Sequence, residues 1–322
     1  DKGNKPVYRF RIPKKETISF MDLVKGEQSF ATDDLDDFIV RKKDSSPTFM
    51  FANAIDDSLM GVDLVLRGDD HLSNTPRQIA LLKSLNLSLP RYAHVSLFTG
   101  SDGAPLSKRN GSLSISDLKE MGYLPIAVAN YLSRVGHTIN DNDLKTQKEL
   151  ADSFETKNIS SSPSKFDLDQ LLFWQKKAVD NLTIDECASW LSGNLDNLPP
   201  TVQERSFIEL IKENINFPSE AREYVNNLFI NALSGDEENL KIIQSAGQEF
   251  FILALEVVNP GISDWKQTCK DIEARTGKKG KELFMPLRVA ITGQTRGPEL
   301  DKVIELIGLE RVLERLKEAS QI

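Results

Sequence analysis

Strand-type patterning is confined to the N-terminal part of this chain. Val7-Tyr8-Arg9-Phe10-Arg11-Ile12 alternates polar and apolar residues until Pro13, the period-two pattern of a half-buried strand. Phe38-Ile39-Val40 is a second short strand candidate, followed by a loop at 42–47. From Thr48 to Thr99 the signals mix. The apolar run 62–67 reads as a strand. A helix then opens with Thr75 as its N-cap and Pro76 at the first helical position, where proline's missing N–H costs nothing. Ile79, Leu82 and Leu85 would form its buried stripe. Pro90 ends that unit, and Val95–Thr99 returns as a strand towards a Gly100-Ser101-Asp102-Gly103 turn. Strand, helix and strand in so short a stretch imply a right-handed parallel unit.

Beyond Gly111 the strand signals almost vanish. Ser114, with Asp117 three residues on, resembles a capping box and opens a helix that stops at Gly122. Pro125 starts another, ending near Gly136. Further helices are expected near 143–154, 167–179 and 183–192, the last bracketed by Thr183 and Gly193. From Thr201 they continue near 201–214, 219–233, 236–257, 263–276, 280–292, 299–307 and 309–319. These helices share no residue-level period, so the pattern is a helical superdomain rather than a repeat array. The fold class that follows is multidomain, α/β first and all-α afterwards.

A chain of 322 residues is long enough for two or three domains with real cores. No apolar run approaches the roughly 18 residues of a membrane span. Cys187 and Cys269 stand far apart with no Cys-x-x-Cys spacing, which fits buried thiols in a cytoplasmic protein and no metal site. The net charge of −8 argues against indiscriminate nucleic-acid binding. A basic cluster nevertheless stands out at Arg275, Lys278, Lys279, Lys281 and Arg288.

Two stretches carry most of the chemistry. The run 62–67 ends in Arg67-Gly68-Asp69-Asp70-His71-Leu72, a charged cluster where open α/β sheets place their ligands, at the carboxyl end of a strand. Pro105-Leu106-Ser107-Lys108-Arg109 follows in a glycine-bounded loop, a source of positive charge for a triphosphate. Together these stretches resemble the glutamyl-tRNA synthetases, class I aminoacyl-tRNA synthetases. So do Phe20–Glu27, Pro47–Asn53, Asp56–Gly61 and Asn74–Gln78. Near the other end, Gly280–Gly293 and Gly297–Leu300 resemble the family's C-terminal signature. The similarity runs through nearly the whole chain, in the family's order.

The resemblance implies a fold and a set of roles. The fold would be the second half of a Rossmann-like catalytic domain followed by helical stem-contact and anticodon-binding domains. Its implied boundaries are 1–46 for the remainder of an acceptor-stem-binding insertion, 47–104 for the catalytic half, 105–185 for the KMSKS-type loop with the stem-contact domain, and 186–322 for the anticodon-binding domain. Arg67, Asn53 and Phe49 match positions that bind L-glutamate. Asp70 and His71 match the segment lying against the ribose and adenine of ATP. Lys108 matches the lysine on the ATP phosphates, with Ser107 holding the turn and Arg109 adding a second cation. Mg²⁺ would accompany ATP, held mainly by phosphates and water. The chain departs from the family at Phe49, where tyrosine is usual, at Pro105, where lysine is frequent, and at Asp69, where glutamate is favoured.

The family's His-Ile-Gly-His-type motif does not occur, and His71, His94 and His137 are isolated. The resemblance therefore implies a C-terminal fragment, inactive by itself, of a monomeric glutamate–tRNA ligase. Its partners would be tRNA(Glu), with tRNA(Gln) as a second candidate. A catalytically incomplete tRNA-binding module is the alternative. A short paralogue that glutamylates a modified tRNA base would lack the long helical half, and a glutaminyl-tRNA synthetase would need β-barrel anticodon domains.

Overall fold

A computed structural model describes residues 6–100, 103–104, 106, 113–139, 141–233 and 237–322. The chain divides into two compact units, Asp1–Ile115 with Val128–Leu171, and Ser116–Ala127 with Leu172–Ile322.

The first unit is built on a four-stranded sheet. Strand β1 (Tyr8–Phe10) pairs outside it with β4 (Phe38–Arg41), antiparallel. Strands β2 (Thr17–Asp22) and β3 (Gly26–Ala31) form a hairpin whose turn uses Gly26 at φ +76°. Helix α1 (Phe49–Leu59) precedes β5 (Leu64–Gly68). Helix α2 (Thr75–Ser84) then leads to β6 (Arg91–Val95). The sheet order is β3-β2-β6-β5, with β5 and β6 parallel and Arg67 directly opposite His94. Ile79 and Ala80 of α2 pack beneath it with Tyr92 and Ile18 from the sheet, whereas Leu81 and Leu82 pack with Ala54 of α1.

Three expectations for this region change. The returning strand is Arg91–Val95, beginning directly after Pro90, and only Phe98–Thr99 forms a further short strand, β7. Thr75 is not an N-cap: its hydroxyl is engaged by Arg67 and lies beside His94, and the helix is entered from a 3₁₀ turn over Asp69–Asn74. Leu85 is half exposed because α2 stops at Ser84 and the chain turns through Asn86 in a left-handed conformation. This unit also holds α3 at its first residue (Ile115–Met121), most of α4 (Pro125–Leu132), and α5 (Gln147–Asp152), which a Thr146–Glu149 capping box opens. The two-residue strand β8 (Ser164–Lys165) runs parallel to β7.

The second unit is helical: α6 (Leu168–Asn181), α7 (Ile184–Trp190), α8 (Glu204–Ile211), α9 (Pro218–Val225), α10 (Glu237–Ala246), α11 (Gln248–Val258), α12 (Trp265–Thr276), α13 (Lys281–Thr292) and α14 (Leu300–Ala319). Thr183 and Glu186 cap α7 reciprocally, as its bracketing implied. The single helix expected over 236–257 is two, broken at Gly247, whose φ of +84° an L-side chain rarely adopts. The break expected at Gly308 is present inside α14. Residues 116–127 belong here because the Gly122 carbonyl accepts from Gln175 and Trp190, and Tyr123 meets Phe217 edge-on. The core runs from Phe207 through Phe251 and Leu287 to Leu316.

Candidate active site

The carboxyl end of β5 gathers most of the residues singled out in the first unit. Arg67 is half buried there. Its Nε donates to His94 Nε2 (3.1 Å), and its Nη2 donates to Thr75 Oγ1 (2.7 Å) and Gln78 Oε1 (2.8 Å). The guanidinium carbon stands 5.7 Å from the Tyr92 ring centroid. An arginine has five N–H donors, and these bonds use three. The two on Nη1 have no hydrogen-bond partner among the described residues. Burial pushes the Arg67 guanidinium below its usual range, with Tyr92, Asp57 and Asp70 opposing the shift. Asp69 does not pair with Arg67; it takes Lys25 Nζ at 2.9 Å.

Asn53, on the first turns of α1, joins this array through Gln78. The Gln78 amide accepts from Arg67 through Oε1, so its Nε2 faces the other way and donates to Asn53 Oδ1 at 3.1 Å. That fixes the Asn53 amide as well, and its Nδ2 is left without a partner among the described residues. Two donors, Arg67 Nη1 and Asn53 Nδ2, therefore flank one glutamine amide. A pair of unspent donors at a strand end suits a carboxylate. Nothing in the local sequence pattern around Gln78 signals this role, because the bridge depends on α1 and β5.

Beneath Arg67 lies a fully buried pair. His94 Nδ1 is 2.6 Å from Asp22 Oδ2, and Asp22 Oδ1 accepts from the backbone N–H groups of Val24 and Lys25. Burial raises the Asp22 carboxyl, but the Lys25 N–H, His94 and Val24 outweigh it and hold it below the usual carboxylate range. Burial pushes His94 down, against the pull of Asp22. Burial pushes the Tyr92 phenol up to about 12. Neither Asp22 nor His94 was singled out from the sequence. Both lie in apolar-looking strands, where a buried polar residue leaves no periodic signal.

Phe49 and His71 come together at the mouth of this region, with ring centroids 5.8 Å apart and Phe49 63% exposed. His71 Nδ1 accepts from Asn74 Nδ2 at 3.0 Å, and its Nε2 is 3.7 Å from Asp70. A Cβ at Gly68 would stand 2.5 Å from Asp70 Oδ1 and 3.1 Å from Leu97, so a side chain there would displace the Asp70 carboxylate. The Gly100 N–H bonds the Ala104 carbonyl, and the Leu106 N–H bonds Phe98 O, which ties the start of the lysine loop to β7. Pro105, Ser107, Lys108 and Arg109 lie outside the described residues.

In the helical unit, the basic cluster falls into three groups. Arg275 and Lys279 are paired with Glu256 (2.9 Å) and Glu273 (3.2 Å). Arg288 donates to the Pro298 carbonyl at 2.9 Å. Lys278 and Lys281 instead line a cavity of about 710 Å³ together with Lys241, Arg296, Ile242, Met285, Glu238 and Glu282.

Residues 1–173 match the family described as tRNA synthetases class I (E and Q), catalytic domain, and residues 183–320 match the family described as anticodon binding domain. The chain is 45% identical over 320 residues to glutamate–tRNA ligase 1 of Halorhodospira halophila, covering 99% of this chain and 67% of that protein. It is 44% identical over 315 residues to glutamate–tRNA ligase 2 of Nitrosococcus oceani, covering 98% of this chain and 67% of the relative. In fold it is similar to a crystal structure of a glutamate tRNA ligase from Elizabethkingia meningosepticum, solved in complex with its amino acid. That match has a TM-score of 0.83 at 24% identity, over 97% of this chain and 68% of that one. No described helix is long and apolar enough to cross a membrane. The order of the two matched domains agrees with the α/β-then-helical architecture, and the chain belongs to the glutamate–tRNA ligase family of class I tRNA synthetases.

Proposed function

We propose that this chain carries one side of an active site that makes glutamyl-adenylate and transfers the glutamyl group to tRNA(Glu) in the cytoplasm. In that reaction the α-carboxylate of glutamate attacks the α-phosphorus of ATP, and pyrophosphate leaves. A terminal hydroxyl of the tRNA then attacks the acyl carbon and releases AMP. The protein needs no nucleophile of its own; it positions the reactants and meets the charge that develops.

The observation that carries this reading is the Arg67–Gln78–Asn53 array with its two unspent donors. A guanidinium and an amide on one rigid frame receive the glutamate carboxylate, and Phe49 covers it. Asp70 and His71 serve the ribose and adenine of ATP. Lys108 meets the phosphates, with Ser107 and Arg109 supporting it, and Mg²⁺ arrives on the phosphates themselves. The chain divides these roles among segments 1–46, 47–104, 105–185 and 186–322, in a monomer.

The helical unit reads the anticodon arm, with tRNA(Gln) as a second substrate candidate. Lys278 and Lys281 are the foremost backbone contacts, since neither is held in an ion pair among the described residues. Arg275, Lys279 and Arg288 complete the surface. A catalytically incomplete tRNA-binding module is the second reading; Phe49, which lacks a hydroxyl for the substrate, favours it.

The test is direct binding of the chain to glutamate tRNA, glutamine tRNA and an unrelated tRNA at two salt concentrations, beside glutamate-dependent exchange of pyrophosphate into ATP. Selective tRNA binding supports the role of the helical unit in either reading; exchange by the chain excludes the incomplete module, and its absence is the result that one side of an active site gives. No selectivity among tRNAs overturns both.

A further inference from the structure

Asp22, His94 and Arg67 stand on three adjacent strands, β2, β6 and β5, and their side chains form one hydrogen-bonded line across the sheet. The chemistry of that line is determined by its ends. An arginine Nε–H can only donate, so the His94 Nε2 that it meets at 3.1 Å is an acceptor. His94 is then neutral, with its proton on Nδ1, directed at the Asp22 carboxylate 2.6 Å away. Asp22 cannot turn away: the backbone N–H groups of Val24, Lys25 and His94 all bond its Oδ1, at 2.9, 2.8 and 3.2 Å. The Nε end of the guanidinium is thus anchored to the sheet interior. Thr75 and Gln78 take Nη2, and rotation about the Cδ–Nε bond is stopped.

We propose that Asp22 and His94 are positioning residues for Arg67: Asp22 holds His94 in the Nδ1–H tautomer, and the Nε2 acceptor so created fixes the guanidinium with Nη1 free for the carboxylate of glutamate. This rests on the reading of Arg67 as the glutamate-binding arginine. It assigns specificity to two fully buried residues. The line also tolerates only one protonation state. A proton on Nε2 removes the acceptor and sets a second cation against Arg67. The groups facing His94 are Asp22 on β2, Arg67 on β5, Asp69 just beyond it, and the Tyr92 ring on its own strand, stacked at 6.3 Å. Of these, only Asp22 meets the ring with a carboxylate at hydrogen-bond distance.

The experiment titrates glutamate into the full chain and into R67A, H94F, H94Q and D22N, with ¹⁵N NMR of the arginine Nε–H and histidine nitrogens. The wild type is expected to bind and R67A to fail. H94F, which offers no acceptor, should weaken binding about tenfold, the equivalent of one charge-assisted hydrogen bond. H94Q, whose Oε1 can receive the Arg67 Nε–H, should recover most of that loss. D22N should shift the His94 proton from Nδ1 towards Nε2 and disturb the Arg67 Nε–H signal. If H94F unfolds, H94Q and D22N decide. Wild-type affinity in D22N and H94F with an unmoved Arg67 Nε–H signal overturns the proposal. If the wild type takes up no glutamate, the glutamate reading of Arg67 fails separately. The Arg67 Nε–H signal then judges the positioning: moved in H94F and restored in H94Q supports it, and unmoved overturns it.

Discussion

Lys25 and Asp69 form an ion pair at 2.9 Å across 44 residues of sequence, and the pair removes from Arg67 a carboxylate that stands two residues away in the chain. The Lys25 ammonium also reaches Ser96 Oγ and the Ser161 carbonyl, both at 2.7 Å, so all three of its donors are spent. A lysine from the β2–β3 turn therefore keeps this carboxylate off an arginine two strands away.

Replacing Lys25 by methionine releases Asp69 to compete for Arg67. We expect about 1 kcal/mol lower stability, since the pair is only partly buried. Glutamate affinity should also fall several-fold. Calorimetric unfolding and glutamate titration of K25M check both, and unchanged affinity would mean that Asp69 does not reach Arg67.

Acid should destabilise the first unit in two stages. His94 in the folded state lies below its ordinary value of 6.5, so the unfolded chain binds that proton first. The neutral histidine's contribution is therefore full above pH 6.5 and declines as pH falls below it. Asp22 and Asp69 lie below the ordinary 3.8, and their contribution is lost only as pH falls through the carboxylate range. Thermal melts between pH 7.5 and 3 should show both limbs. H94Q should flatten the first and keep the second.

Cys187 is fully buried and Cys269 is 4% exposed, and burial pushes the Cys269 thiol up to about 11. The thiolate is the reactive form, so neither thiol should react with an alkylating reagent in the native chain. Both should react in denaturant. Mass spectrometry of the labelled protein reads this directly, and rapid native labelling would contradict the burial.

The basic cluster should divide by its ion pairs. K278A with K281A should weaken tRNA binding and lower the salt slope by about one per lost phosphate contact. R275A with K279A should do less, because Glu256 and Glu273 already hold those cations. Equal losses in a filter-binding assay at several salt concentrations would place the contact on the whole segment instead.

Replacing Gly247 by alanine should cost about 1–2 kcal/mol although no atom lies within 4 Å of the new Cβ, because its φ is +84°. A melting temperature unchanged by G247A would show that the α10–α11 junction relaxes freely.

Much of this architecture was legible in the residues. The capping residues around 183–193, the break at Gly308 and the strand ending at Arg67 follow from local chemistry that tertiary packing reinforces. The returning strand was displaced because Arg91-Tyr92-Ala93-His94-Val95 does not alternate. Tyr92, Ala93 and His94 are all buried, one of them only because Asp22 is there to meet it. Helix α1 went unread because Phe49-Met50-Phe51-Ala52-Asn53 is apolar without a clear face. Gln78 and His94 owe their roles to partners supplied by other elements, information that no window of neighbouring residues contains.

The sheet order β3-β2-β6-β5 also dictates when the Asp22–His94–Arg67 line can form during synthesis. Asp22 emerges first, Arg67 next and His94 last, 72 residues after the carboxylate it must meet. Until β6 slides between its neighbours, β2 and β5 have no common surface in the sheet. Closing so long a loop is slow compared with local helix formation. A growing chain therefore passes through an interval in which Arg67 exists but is unanchored, and the Asp22–His94–Arg67 line closes only when the middle strand arrives.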